Sequence, residues 1–115
     1  MSIIVHDNPD QQRFEILVDD QLAGIAEYRR TADRIIFPHT ETLPPFGGQG
    51  YGSVLVKAAL DAVRGEGLGV RPQCWFVRDL IASHPQEYLA LVAPEDRGTF
   101  GLPADVPADV SGARS

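Results

Sequence analysis

What this sequence lacks narrows it before any motif is read. One cysteine, Cys74, stands alone among 115 residues, which excludes an internal disulfide framework and a zinc site built on several cysteines. No apolar run approaches the roughly 20 residues that cross a bilayer. The start, Met1-Ser-Ile-Ile-Val-His-Asp, has neither the basic opening nor the long apolar stretch of a secretory signal. The expected setting is therefore cytoplasmic and reducing, away from membranes. Positive charge is also scarce and scattered: ten Lys and Arg stand against sixteen Asp and Glu, for a formal net charge of −6. Nucleic acid needs a concentrated basic surface and is not an expected partner. A cationic small molecule or a basic polypeptide suits the balance better.

What is present is globular in kind. A hydrophobic content of 43% is too high for a disordered chain, and the length fits one compact domain. No internal repeat is visible. A short strand is expected at residues 2–6. Residues 13–19 alternate, with Phe14, Ile16 and Val18 on one face and Glu15, Leu17 and Asp19 on the other. Asp20-Gln21 makes a tight turn into a third strand at 22–30, and a fourth runs over 34–42. Its Pro38 lacks a ladder donor, so a bulge or interruption is expected there.

Residues 43–52 then hold two prolines and four glycines, which forbid regular structure. A helix is expected from Ser53. Leu55, Ala58, Ala59 and Ala62 line one side, and Val56, Leu60 and Val63 widen the apolar arc. Gly65-Glu-Gly67 stops it. Residues 68–74 read as a fifth strand with Cys74 near its end, 75–83 as a helix, and 86–92 as a last short helix beyond His84-Pro85. The packed domain is expected over 1–93. Residues 94–115, rich in Pro, Gly, Ala, Asp and Ser without an apolar period, are expected to form a mostly disordered tail. The fold class is α+β: antiparallel strands, a β-α-β crossover to a parallel strand, and short C-terminal helices.

The loop before the first helix is where chemistry is expected. First-turn N–H groups have no partner inside a helix, and the macrodipole adds partial positive charge. Glycines let an anion approach that backbone. Gly48, Gln49, Gly50, Tyr51, Gly52 and Ser53 thus offer donors to a phosphate or pyrophosphate. A Walker A loop is excluded, because Gly52 is followed by Ser53-Val54 and not by Lys-Ser/Thr. A dinucleotide fingerprint is excluded too, because positions 53 and 55 are Ser53 and Leu55. The glycines alone are equally compatible with a plain turn that permits close packing.

These residues resemble the GNAT superfamily of acyl-CoA-dependent N-acyltransferases, whose signature is Q/R-x-x-G-x-G/A. Residues 47–52 carry both glycines, Gly50 and Gly52, and depart at Gly47, where the family has Gln or Arg. Three blocks in order resemble the smallest branch, the minimal N-acetyltransferase-domain proteins: His39-Thr-Glu41, the loop at 48–53 with its helix, and Cys74-Trp-Phe-Val-Arg78 leading to His84-Pro-Gln-Glu-Tyr88. The resemblance implies splayed fourth and fifth strands holding acetyl-CoA, with its pantetheine arm along the splayed edges and its pyrophosphate at the loop. It implies transfer of an acetyl group to an amine, with acetyl-CoA as cosubstrate and coenzyme A as product. No metal is expected, since Cys74, His39 and His84 show no metal-ligand spacing. The rival is a module that binds coenzyme A or an acyl-CoA without turnover, which the small size favours. A third reading is an interaction domain whose loop binds nothing.

Acetyl transfer needs a neutral amine, a polarised thioester carbonyl and a proton for the departing thiolate. Glu41 can take the amine proton through water, or is simply a surface carboxylate. Cys74 is a nucleophile or a small buried hydrophobe, with His39 or His84 as its base or as structural histidines. Tyr88 stands where the superfamily often has a thiolate-protonating tyrosine, and is also a good core aromatic. Arg78 can meet a phosphate or the neighbourhood of Asp79. Trp75 and Phe76 are expected in the core.

Overall fold

The computed structural model describes residues 1–105. Five strands, β1 (Ile3–Asn8), β2 (Arg13–Val18), β3 (Gln21–Arg30), β4 (Arg34–Thr42) and β5 (Gly69–Arg71), form one sheet in chain order. The first four pair antiparallel, and β5 joins β4 in parallel. A parallel neighbour cannot be reached by a hairpin, and α1 (Tyr51–Gly65) supplies the crossover. Three short helices come after β5: α2 (Trp75–Ser83), α3 (Pro85–Tyr88) and α4 (Pro94–Arg97). This is the α+β order expected from the residue pattern.

The alternation of β2 decides which face is covered. Phe14, Ile16 and Val18 are buried, and Phe14 and Ile16 stand opposite Ala26 and Gly24 of β3. Gly24 makes room for its neighbours in the sheet: a Cβ there would lie 2.9 Å from the Glu41 carbonyl oxygen of β4 and 3.3 Å from Ile16 of β2, with Leu55 of α1 at an ordinary 3.6 Å. The buried stripe of α1 is Leu55, Val56, Ala59, Leu60 and Val63, with Tyr51 and Gly52 at its start. Ala58 is only half-buried and Ala62 is exposed. The larger aliphatic groups gain more from burial than alanines, so they turn the helix toward the sheet.

The opposite face of the sheet is polar but not loose. Glu15 is buried there and accepts hydrogen bonds from Arg13 (2.7 Å) and Asn8 (3.2 Å), with His6 at 2.9 Å. Burial pushes its carboxyl up, but the bonds to Arg13, Asn8 and His6 outweigh it and hold the group below its ordinary value near 4.5. The β2–β3 turn uses Asp19 and Asp20 at φ 51° and 68°, one residue earlier than expected. Aspartate tolerates the left-handed region that a two-residue hairpin turn requires. Pro38 produces its bulge: Glu27 pairs His39 and Arg29 pairs Ile36, so Phe37 and Pro38 oppose Tyr28 alone.

Several C-terminal boundaries differ from the pattern. The expected helix at 86–92 is α3, begun by Pro85, and then a 3-10 turn at Leu89–Leu91. The packed part also runs past Ala93, where composition alone starts the tail. Arg97 is buried, donating to the carbonyls of Val92 (3.0 Å) and Ala104 (2.6 Å), and Leu102 is 6% exposed within the core cluster. One guanidinium binding carbonyls and one isolated leucine create no period, which is why the pattern misses them. The tail expectation for residues 106–115 lies outside the described residues.

Candidate functional site

The site begins where β4 and β5 separate. They pair only from Arg34 with Gly69 to Ile36 with Arg71. The next residues in register are Phe37 and Pro72, and then Pro38 comes on β4. Two prolines without N–H groups cannot continue the ladder. One last bond, from the Cys74 N–H to the Phe37 carbonyl (2.8 Å), ties the strands before they part. Beyond it β4 continues to Thr42 with β3 on one side and, on the other, no strand among the described residues.

The loop closes the mouth of this wedge. Gly48 and Gly50 adopt φ 77° and 82°, and a Cβ at either would meet nothing within 4 Å. Gly50 caps α1 without a side-chain bond, no acidic residue sits in the first turn, and the first helical bond is Val54 N–H to Gly50 carbonyl (3.3 Å). The N–H groups of Tyr51, Gly52 and Ser53 precede that bond and have no partner within the helix. Gly52 is needed for contact: a Cβ there would stand 3.1 Å from the Phe76 ring and 3.2 Å from Thr42 Oγ1. A cavity of about 210 Å³ lies between Thr42, Phe46, Tyr51, Ser53, Phe76 and the glycines at 48, 50 and 52. Gln49 is exposed and stays outside its lining. The Tyr51 side chain packs edge-on to Phe46 at 6.0 Å, with its hydroxyl 3.3 Å from the Met1 sulfur, so it is committed to packing.

Alternation splits the end of β4 into two chemistries. His39 and Glu41 pair with Glu27 and Ile25, on the face away from α1. Their side chains meet at 3.3 Å, each about half exposed (52% and 49%). Thr40 and Thr42 pair with Ala26 and Gly24, facing α1. Thr40 Oγ1 is buried without a hydrogen-bond partner among the described residues. Neither threonine stands out residue by residue in the sequence. The available signal is their place beside His39 and Glu41 on a strand that outruns its neighbour.

The remaining candidates are dispersed. Cys74 is a free thiol, 7% exposed, inside the core cluster and at the N-cap of α2. No hydrogen bond joins it to His39, Glu41 or His84 among the described residues. His84 directs Nδ1 to the Leu80 carbonyl at 3.1 Å, so Nδ1 carries the proton. Tyr88 is 2% exposed, with the Arg64 guanidinium 5.3 Å above its ring and His84 at 6.3 Å. Burial and then the charges of Asp61 and Glu87 push its phenol up, and these partners place it near the C-terminal half of α1, away from the loop. Arg78 pairs with Asp79 at 2.7 Å. Trp75, expected in the core, is 67% exposed. It sits on the first turn of α2, where the buried stripe is Val77, Leu80 and Ile81. Phe76 packs on the core while lining the loop cavity.

No group of three or more His, Cys, Asp or Glu among the described residues is arranged to hold a metal ion. No described helix is long and apolar enough to cross a membrane. No curated protein matches the chain. A family model described as a GCN5-related N-acetyl-transferase matches residues 13–91, from the start of β2 through the splay, the loop and α3. That match takes in every element that builds the wedge, and the chain accordingly belongs to the GCN5-related N-acetyltransferase family.

Proposed function

We propose that the chain moves an acetyl group from acetyl-CoA to an amine, with residues 48–53 holding the pyrophosphate and the free edge of β4 holding the pantetheine arm. The family carries acetyltransferase-type activity and acyl-CoA binding. The observation that supports the finer reading is convergence. The unbonded N–H groups of α1 and the unpaired end of β4 meet where Gly52 touches Thr42. Oriented N–H groups without side-chain competition suit a pyrophosphate, and an open strand edge suits an amide-bearing chain. The buried hydroxyl of Thr40 gives the wedge an unused hydrogen-bonding group beside that edge.

When bound, acetyl-CoA supplies an activated acyl group as a thioester. The amine nitrogen forms a bond to the acyl carbon, the carbon–sulfur bond breaks, and the electron pair leaves on sulfur. Glu41, exposed at the end of β4, accepts the proton of the amine through water, and His39 orients its carboxylate. Thr40 donates a hydrogen bond within the wedge. Cys74 lies in the core, and no hydrogen bond joins it to His39, Glu41 or His84 among the described residues, so direct transfer suits the geometry better than an acetyl-cysteine. Tyr88 is too far along α1 to serve as the acid, and its role is packing.

The rival, a binder of coenzyme A without turnover, draws on that same position of Tyr88, which leaves the departing thiolate without a side-chain acid. Calorimetry with acetyl-CoA, and then thiol release over a panel of amines, separates the two. Turnover that falls at least tenfold in Glu41→Gln, with acetyl-CoA affinity retained, is the expected result. Binding with no amine-dependent thiol release would leave the rival standing.

A further inference from the structure

The chain has a single tryptophan, and Trp75 is, after Met1, the most exposed large hydrophobic among the described residues. Indole gains much from burial, so an exposed one on a regular helix calls for a reason. Trp75 stands edge-on to Phe76 at 5.8 Å. The two line a second groove of about 300 Å³ between α1 and α2, together with Ser53, Asp79, Ser83 and His84. Ser53 and Phe76 also line the loop cavity. The two concavities thus share a wall, Ser53 and Phe76, at the start of α1.

That shared wall points to what can lie there, given the reading of residues 48–53 as the pyrophosphate loop, on which this inference rests. Two groups leave the pyrophosphate of coenzyme A: the pantetheine arm and the adenosine 3′-phosphate. The arm takes the wedge beside Thr40 and Thr42. The other group must pass over Ser53 and Phe76 into the second groove. We infer that the α1–α2 groove is the adenosine subsite, with the purine stacked on the indole of Trp75. A purine has apolar faces and polar edges, matching an aromatic wall bordered by Asp79 and Ser83. An amine acceptor fits less well, because the groove opens at the phosphate end while Glu41 lies on the opposite face of the sheet.

The lone indole reports on its own site. Its emission is tracked while the full chain is titrated with acetyl-CoA, adenosine 3′,5′-bisphosphate and S-acetylpantetheine, with calorimetry in parallel. Acetyl-CoA and the bisphosphate should quench it, and S-acetylpantetheine should not. Trp75→Ala should raise the Kd for acetyl-CoA about tenfold, the size of one base–aromatic stack, leave that for S-acetylpantetheine unchanged, and be largely rescued by Trp75→Phe. The side chain is exposed, so the variants should fold. Calorimetric binding of acetyl-CoA with unchanged emission and an unchanged Trp75→Ala affinity would place the adenosine elsewhere and overturn the subsite while sparing the loop. Quenching by an amine and not by the bisphosphate would give the groove to the acceptor instead. Absence of calorimetric binding altogether would remove the loop reading and this one with it.

Discussion

At the scale of single residues, Thr40 and Cys74 separate stability from function in opposite ways. A buried hydroxyl without a partner costs about 1–3 kcal/mol in desolvation, and Thr40 Oγ1 is such a group. Thr40→Val keeps the shape and removes the hydroxyl. The variant should be more stable by about 1 kcal/mol in the absence of ligand, read by denaturant unfolding, yet bind acetyl-CoA or turn it over several-fold worse. A destabilised variant with normal turnover would show that Thr40 is ordinary packing. Cys74 behaves the other way. It fills core volume beside Phe37, so Cys74→Ala should cost about 1 kcal/mol through the cavity it leaves. Turnover at a temperature where the variant is folded should remain within about threefold of the parent, because direct transfer does not pass through sulfur. Abolished turnover in a folded variant, with acetyl-CoA alone adding one acetyl group to the parent thiol, would reverse that assignment. The structure holds His39 against Glu41 and, among the described residues, shows no hydrogen bond from the Cys74 thiol to either, which is the basis for expecting the carboxylate to matter more.

Among the elements, the start of α1 is where local preference and the proposed function disagree. A helix N-terminus ordinarily takes a Ser, Thr, Asp or Asn cap and acidic residues in its first turn. Here Gly50 caps it and the first turn has no acid. Ser53→Asp adds the negative charge that the helix favours, for about 0.3–1 kcal/mol of stability. The same charge repels a phosphate from the same donors. The variant should melt at or above the parent temperature and bind acetyl-CoA at least tenfold more weakly by calorimetry; retained affinity would remove the pyrophosphate from this loop. The sequence pattern foresees this element but starts it at Ser53, two residues late. Glycine and tyrosine advertise no helix start, and the contact of Gly52 with Phe76 and Thr42 is tertiary. The strands are more legible because the apolar residues of β2, Phe14, Ile16 and Val18, alternate and are buried, and Pro38 marks its own bulge. The brevity of β5 is less so, since it stems from Pro72 and Pro38 falling at successive positions where the two strands would continue to pair. Of the site, the glycines, His39 and Glu41 are readable one by one. The threonines beside them and the groove at Trp75 depend on which face of β4 and α2 the core selects, and no window of residues encodes that.

Over the whole molecule, the weak point is the free side of β5. It is three residues long and ends the sheet, and an uncovered edge strand is a template for unwanted pairing. Residues 89–104 cover it. A Cβ at Gly69 would lie 3.4 Å from the Leu91 carbonyl oxygen, so the 3-10 turn at Leu89–Leu91 runs directly against the strand. Farther on, Arg34 reaches Glu95 and Asp96 at 3.4 Å each, and Arg71 has its guanidinium 5.8 Å from the Phe100 ring. Arg97 then binds the carbonyls of Val92 and Ala104, and Leu102 enters the core. The exposed Arg34–Glu95 pair adds little, and the Arg34–Asp96 pair is partly buried. Leu102 and the buried guanidinium carry the segment, since burying a leucine is worth about 1.5–3 kcal/mol. A chain ended at Ala93 loses the contacts of residues 94–104 and uncovers Arg71. It should be less stable by about 3 kcal/mol or more than a chain ended at Asp105, and the comparison is a pair of denaturant unfolding curves. Because the same segment steadies β5 just before the splay, the shorter chain should also bind acetyl-CoA more weakly at temperatures where it is still folded. Two coincident unfolding curves would mean that residues 94–105 lie on the domain without supporting it.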